Sequence, residues 1–121
     1  MAGPSQRRQD VSDALPAPLT AFEADAPVDE EGEIIQLDSR SSAFVTLALD
    51  SDDNDVIYQI QARGGLEEPW FDFITYEGED GTGTGRIRDT VQTGTRFQRL
   101  VVIDGSDNED ATADVSLQAS G

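Results

Sequence analysis

Short apolar runs separated by turn-forming residues follow one another from residue 33 to the end of the chain. They cover residues 33–38, 43–49, 55–63, 70–76, 86–91, 95–104 and 112–120. The runs recur about every 8 to 12 residues, and none has the period of about 3.6 residues that marks a helix. The pattern predicts an all-β domain over residues 33–121, either an antiparallel β-sandwich or a jelly-roll-like small barrel.

Two of these runs alternate strictly between apolar and polar residues, as a half-buried strand does. The runs are 55–63 and 112–120, and in each of them every second side chain is apolar. We expect these side chains in the core: Val56, Tyr58, Ile60 and Ala62 in the first run, and Ala113, Val115, Leu117 and Ala119 in the second.

Two other runs are apolar on both faces, which is typical of strands that are covered on both sides. In "WFDFITY" (70–76), Phe71 and Phe73 oppose Trp70, Ile74 and Tyr76. In "FQRLVVI" (97–103), apolar side chains also alternate on both faces. The second cover is either the N-terminal segment or another subunit, unless these strands cross a corner of the sandwich. We therefore predict a subunit interface at Trp70, Phe71 and Phe73.

Residues 1–32 differ in composition from the rest and are predicted to form an extended arm. The segment holds four of the five prolines, and Pro16 and Pro18 favour an extended path. Its twin arginines at 7 and 8 are followed by acid and proline rather than by an apolar stretch, so no leader peptide is expected. We expect a neighbouring subunit to hold the arm through its apolar residues, which are Val11, Leu15, Leu19 and Phe22.

The charge of the chain indicates a high-salt environment. There are 25 acidic and 8 basic residues, for a net charge of −17, and every basic residue is an arginine. Like charges of this density repel each other over a Debye length of about 10 Å in 0.1 M salt, but over only about 3 Å in 1 M salt. Because the acids are interspersed among apolar strands, the composition resembles that of proteins from extremely halophilic archaea.

Composition also excludes several classes of function. Histidine, cysteine and lysine are absent, which removes the Ser-His and Cys-His pairs, Schiff-base chemistry and most transition-metal sites. Eight arginines among 25 acids give no basic surface for nucleic acid. The longest apolar run, "LVVI" at 100–103, is far shorter than the roughly 20 residues that span a membrane. We expect a protein that is not an enzyme and binds other proteins.

The segment "DSDDND" (50–55) is the strongest candidate for an ion site. Asp50, Asp52 and Asn54 have the 1, 3, 5 spacing of an EF-hand loop, but its sixth and twelfth positions are Asp55 and Gln61 instead of glycine and glutamate. We therefore expect a solvated turn. The remaining alternative is a Ca²⁺ or Mg²⁺ ion shared with "DGSDNED" (104–110), with Asp104 and Asp107 as further ligands; no other cofactor is expected.

The C-terminal third, "TVQTGTRFQRLVVIDGSDNEDATADVSLQAS", resembles the final hairpin of small β-sandwich virion proteins of tailed phages and haloarchaeal viruses. In those proteins an arginine-flanked apolar strand is followed by an alternating terminal strand of small residues. The resemblance implies a capsid-associated role as a decoration, turret or minor capsid protein. It also implies neighbouring virion subunits as partners, a homo-oligomer such as a trimer, and location in the virion.

Three alternatives remain open from the sequence. A neck or tail component of such a virion has the same features. A carbohydrate-binding or adhesion module of a halophile would use the aromatic rings of Trp70 and Tyr76 to stack on sugars. A cell-surface or secreted domain without a viral connection fits the charge equally well.

Overall fold

A computed structural model of the chain describes residues 19–40, 44–78 and 83–120. The described residues form eight β-strands and no helix. The strands are β1 (Thr20–Pro27), β2 (Gly32–Asp38), β3 (Phe44–Ser51), β4 (Ile57–Arg63), β5 (Phe71–Tyr76), β6 (Arg86–Val91), β7 (Phe97–Asp104) and β8 (Thr112–Ser120). None of the described segments is therefore a helix that could cross a membrane.

The strands form two four-stranded antiparallel sheets that pack face to face. Sheet 1 has the order β1-β8-β3-β6, and sheet 2 has the order β2-β7-β4-β5. Four antiparallel pairs make up the two sheets. Sheet 1 contains the pairs β1–β8 and β3–β6, and sheet 2 contains the pairs β2–β7 and β4–β5. This is the connectivity of a jelly roll, a long antiparallel ribbon folded over into two sheets. The predicted fold class is confirmed in its sandwich form, because the sheets do not close into a barrel.

The core lies between the sheets and is built from the alternating side chains that the sequence predicts. Val56, Tyr58, Ile60 and Ala62 are fully enclosed, and Val115 and Leu117 are buried opposite them. Leu47 and Leu49 on β3, together with Leu100 on β7, complete the same cluster. The period-2 pattern therefore placed both strands with the correct face inward. The outer face of β8 is largely exposed, whereas that of β4 is only partly exposed and Gln59 is buried there.

Strand β1 lies within the segment that the sequence assigns to the arm. Thr20–Pro27 pairs with β8 along the edge of sheet 1, so this part of the chain belongs to the sandwich. Only Ala26 is buried within the strand, and a register shift between Glu23 and Ala26 interrupts the pairing. An edge strand with one small core residue and a bulge carries almost no hydrophobic period, which explains why the sequence pattern missed it. Residues 1–18 lie outside the described part of the chain.

The apolar outer face of β7 is covered by the side chains of its own sheet. Phe97 and Val101 are buried on that face by other side chains of the chain. The guanidinium carbons of Arg96 and Arg63 lie 5.0 and 5.8 Å from the centre of the Phe97 ring. At these two positions the burial of β7 therefore needs no cover from the arm or a neighbour, and arginine side chains contribute it over Phe97.

Candidate functional site

The two ends of the sandwich differ in the connections that close them. The register places four connections at one end: 28–31, 52–56, 77–85 and 105–111. Within the described residues these connections carry ten carboxylates and no basic side chain. The carboxylates belong to Asp29, Glu30, Glu31, Asp52, Asp53, Asp55, Glu77, Asp107, Glu109 and Asp110. We call this the acidic end.

Hydrogen bonds from small polar groups hold the acidic end together. The Ser106 hydroxyl donates to Asp53 Oδ2 at 2.7 Å and accepts from the Asn108 amide at 3.0 Å. Asp53 Oδ1 also accepts from the Asp55 amide at 2.9 Å. The segments "DSDDND" and "DGSDNED" therefore meet at one end of the sandwich, as the shared-ion alternative requires. The contact between them is the hydrogen bond from the Ser106 hydroxyl to Asp53.

The carboxylates predicted to bind an ion are only partly brought together. Asp50, Asp52 and Asn54 line one open cleft, which Asp25 and Asp114 also line, while Asp104 and Asp107 do not line it. Asp50 is already engaged by the guanidinium of Arg88 at 2.6 Å. Among the described residues, no three acidic side chains are grouped in a way that could hold a metal. The divalent ion stays a prediction, and this arrangement does not favour it.

The opposite end of the sandwich presents apolar and cationic groups, and we call it the apolar end. The large exposed hydrophobic side chains of the described residues lie mainly in this half, in the connection after β4 or towards the starts of strands. They are Phe44, Leu66, Phe71 and Phe73, whereas the fifth, Phe22, lies at mid-strand in β1, level with Ser116 and Ala48. The end also carries Arg40, Arg63 and Arg96, together with the acids Asp38, Glu67 and Glu68. The acidic connections and most of the exposed apolar surface are therefore separated along the strand direction.

Arginine pairs and a buried glutamine order the apolar end. Arg96 binds both oxygens of Asp38 at 2.9 and 2.8 Å. Mainly because of this hydrogen bond, the pKa of the Asp38 carboxyl is lowered. The enclosed Gln98 amide donates to the Thr95 carbonyl at 2.8 Å and to the Thr93 hydroxyl at 3.0 Å. These contacts hold the turn between β6 and β7 in place.

Trp70 lies on the outer face of sheet 2 between cationic side chains. The guanidinium carbon of Arg63 is 4.3 Å from the ring centre, and that of Arg99 is 4.6 Å away. The Tyr76 hydroxyl donates to Asp89 Oδ2 at 2.7 Å, and its ring packs against the core. Both aromatic residues proposed for sugar stacking are therefore engaged by other groups of the same chain.

The predicted interface residues divide into three groups. Phe22, Phe71 and Phe73 are 64%, 46% and 39% exposed, so they are free to contact a partner. Trp70 is partly buried among arginines, and Leu19 packs against the core, with its carbonyl accepting from the Ala119 amide. Val11 and Leu15 lie outside the described residues.

Sequence reasoning missed two exposed side chains of the apolar end, Phe44 and Leu66. Phe44 follows the alternation of β3, in which Val45, Leu47 and Leu49 are buried, and this alternation carries the signal that would have placed Phe44 outside. Leu66 stands alone between two glycines and two glutamates, and no period applies to it.

The fold and the separation of its ends define the class of the protein: an acidic jelly-roll sandwich, with eight strands in the described part of the chain and one apolar end. Comparison of the chain with protein-family models, with curated proteins and with solved structures finds no match.

Proposed function

We propose that this chain is a structural subunit of a halophilic archaeal virus particle, associated with the capsid as a decoration, turret or minor capsid protein. The observation that carries the proposal is the separation of the two ends. A subunit fixed to a shell needs one surface that binds its neighbours and another that stays hydrated in brine. The apolar end offers the first surface and the acidic end offers the second.

The attachment surface we assign is the edge of sheet 2 that carries Leu66, Phe71 and Phe73. Leu66 is 68% exposed and belongs to the connection that leads into β5, an edge strand of sheet 2. Large exposed apolar side chains along one edge, with arginines at the same end of the sandwich, are typical of a protein interface. The jelly roll supports the proposal only by analogy, because this fold also occurs in lectins and in cupins.

A neck or tail location in the same kind of virion would use the same surface and remains within the proposal. The carbohydrate-binding alternative has less support, since Trp70 is engaged by Arg63 and Arg99 and Tyr76 is bound to Asp89. A halophile surface domain with no viral role is distinguished from the proposal by its location.

Quantitative mass spectrometry of virus particles purified in high salt tests the proposal. We expect this chain to follow the main shell protein through a density gradient at a constant ratio. Cultures that encode a Phe71→Ser, Phe73→Ser double variant should yield particles depleted of the chain, whereas Phe44→Ser, a control with the same chemical change, should remain attached. Recovery of the chain only with the cell envelope or the medium would contradict the proposal.

A further inference from the structure

The centre of the outer face of sheet 1 carries no charged side chain, in a chain that is otherwise densely acidic. It is formed by Thr46, Ala48, Thr90, Ser116 and Gln118, which we call the neutral face. The Thr46 and Thr90 hydroxyls lie 3.2 Å apart across neighbouring strands, which places both on this face. In a chain with 25 acids, an exposed sheet centre without a carboxylate needs an explanation.

The charges that border the neutral face are arranged in a definite order. Next to the acidic end, one row of side chains runs from Asp114 on β8 through Asp50 on β3 to Arg86 on β6. Asp25 on β1 extends this row, because its amide donates to Asp114 Oδ1 at 2.9 Å. The row is therefore acidic on the β1 side and basic on the β6 side.

The next row of side chains has an aromatic ring at one side and a cation at the other. Phe22 on β1 is followed by Ser116 and Ala48, and the row ends at Arg88 on β6. Both terminal nitrogens of Arg88 have acceptors, since Nη2 donates to Asp50 at 2.6 Å and Nη1 donates to the carbonyls of Leu49 at 3.1 Å and Ile87 at 2.8 Å. These in-plane contacts leave the flat face of the guanidinium for stacking.

We propose that a second copy of this chain packs on the neutral face about a two-fold axis parallel to the strands. This axis reverses the strand order, so that β1 of one copy faces β6 of the other while the rows stay in register. Phe22 then lies opposite Arg88 of the second copy, and Asp25 lies opposite Arg86 of the second copy. A self-complementary patch of this kind is what a two-fold interface requires.

The alternative in-plane axis, perpendicular to the strands, is less favourable. It would place the row that contains Asp50 and Asp114 against the opposite edge of the face, where Phe44 and Ser120 lie. Carboxylates would then lose water without gaining a cationic partner, which is costly. With the parallel axis, Asp50 approaches Asp114 of the second copy, but Asp50 is already bound by Arg86 and Arg88.

The size of the face predicts a weak dimer. Four strands spaced about 4.8 Å apart and about seven residues long cover roughly 450 Å² per copy. A standard stable interface buries about 800 Å² per partner, so we expect a dissociation constant in the micromolar range. Small side chains help, because they allow the two sheets to approach closely. This inference does not rest on the proposed function, which uses a different corner of the molecule.

Sedimentation velocity of the full chain, from about 10 to about 500 µM, tests the proposal. The experiment uses the lowest salt concentration at which circular dichroism shows a fully folded protein. We expect a monomer–dimer equilibrium. Phe22→Arg should weaken the dimer about tenfold, because it opposes Arg88 of the second copy, whereas Phe22→Glu should weaken it by less than about threefold.

The expected order of the two variants, with Phe22→Arg dimerising more weakly than Phe22→Glu, is the reverse of the order that net charge alone predicts. Phe22→Arg lowers the net negative charge and Phe22→Glu raises it, so unspecific association would favour the arginine variant. Gln36→Arg, an exposed change on the outer face of sheet 2, is the control for added positive charge and should leave the dimer unchanged. A monomer at every concentration, a trimer, or Phe22→Arg dimerising as well as or better than Phe22→Glu would overturn the proposal.

Discussion

The acidic end and the apolar end close the same core by different physical means. At the acidic end, hydroxyl and amide groups such as those of Ser106 and Asn108 satisfy the loops, while eight of the ten described carboxylates are exposed. At the apolar end, Arg96 binds Asp38 and aromatic side chains remain exposed. The comparison teaches that the described connections of one end carry acids without arginines, so that salt and pH should act unequally on the two ends.

The largest effect we expect is that of salt. Lowering KCl from about 3 M to about 0.1 M should lower the melting temperature by more than about 15 °C, because the screening length grows from about 2 to about 10 Å. Thermal denaturation followed by circular dichroism measures this shift. Full stability in low salt would contradict the proposed halophilic origin.

Two double variants, one at each end of the sandwich, test where the salt effect arises. Each replaces two glutamates that are neighbours in the sequence. Glu30→Gln with Glu31→Gln, at the acidic end, should raise the melting temperature in low salt. The matched change at the apolar end, Glu67→Gln with Glu68→Gln, should raise it by less than half as much, because fewer carboxylates surround it. Equal shifts from the two double variants would show that the repulsion is spread over the whole surface.

The next effect concerns the close approach of backbones at the acidic end. A Cβ at Gly83 would lie 2.2 Å from the Asp55 carbonyl carbon and 2.4 Å from the Val56 nitrogen. Gly83→Ala should therefore destabilise the protein by about 3 kcal/mol, measured by chemical denaturation in high salt.

Gly65→Ala, at the apolar end, is the matched control for this substitution. There the nearest atom to an added Cβ is a flexible Glu68 carboxylate oxygen at 3.3 Å. We expect a change below about 0.5 kcal/mol in the free energy of unfolding. If both alanine variants were equally stable, the packing of residues 83–85 against the 51–56 segment would not matter.

The smallest effect is alkaline destabilisation, which should also arise at the acidic end. Burial, together with the negative charge of Asp53, raises the pKa of Tyr58 to about 12. Burial and the hydrogen bond to Asp89 raise the pKa of Tyr76 as well. Because the unfolded chain releases these protons near pH 10, the stabilisation is complete below pH 10 and is lost as the pH rises further.

The chain has no lysine, cysteine or histidine, so between about pH 9 and 12 its two tyrosines are the side chains that titrate. For Tyr58 the loss of stability should be on the order of 1 kcal/mol at pH 11. The double variant Tyr58→Phe, Tyr76→Phe should lose most of the pH dependence in denaturant titrations from pH 9 to 11. A slope unchanged by the double variant would contradict the enclosure of these hydroxyls.

The sequence predicted much of the fold because alternation is a local signal. The strands that alternate, β4 and β8, were placed with the correct face inward. Strand β1 could not be found this way, since a bulged edge strand is held by its pairing with β8 rather than by its own period. The alternation pattern also counts Phe97 as an apolar residue that needs a cover, but it cannot show that the side chains of Arg63 and Arg96 lie over its ring.

By itself, the sequence determined the all-β class, the inward faces, the acidity and the absence of histidine, lysine and cysteine chemistry, because these follow from composition and from period. Only the tertiary structure decided that the acidic connections share one end and that most of the exposed aromatic side chains lie towards the other. That separation depends on the order in which strands pair, and pairing joins residues far apart in the chain. The same is true of the neutral face, whose rows exist only once β1, β8, β3 and β6 lie side by side.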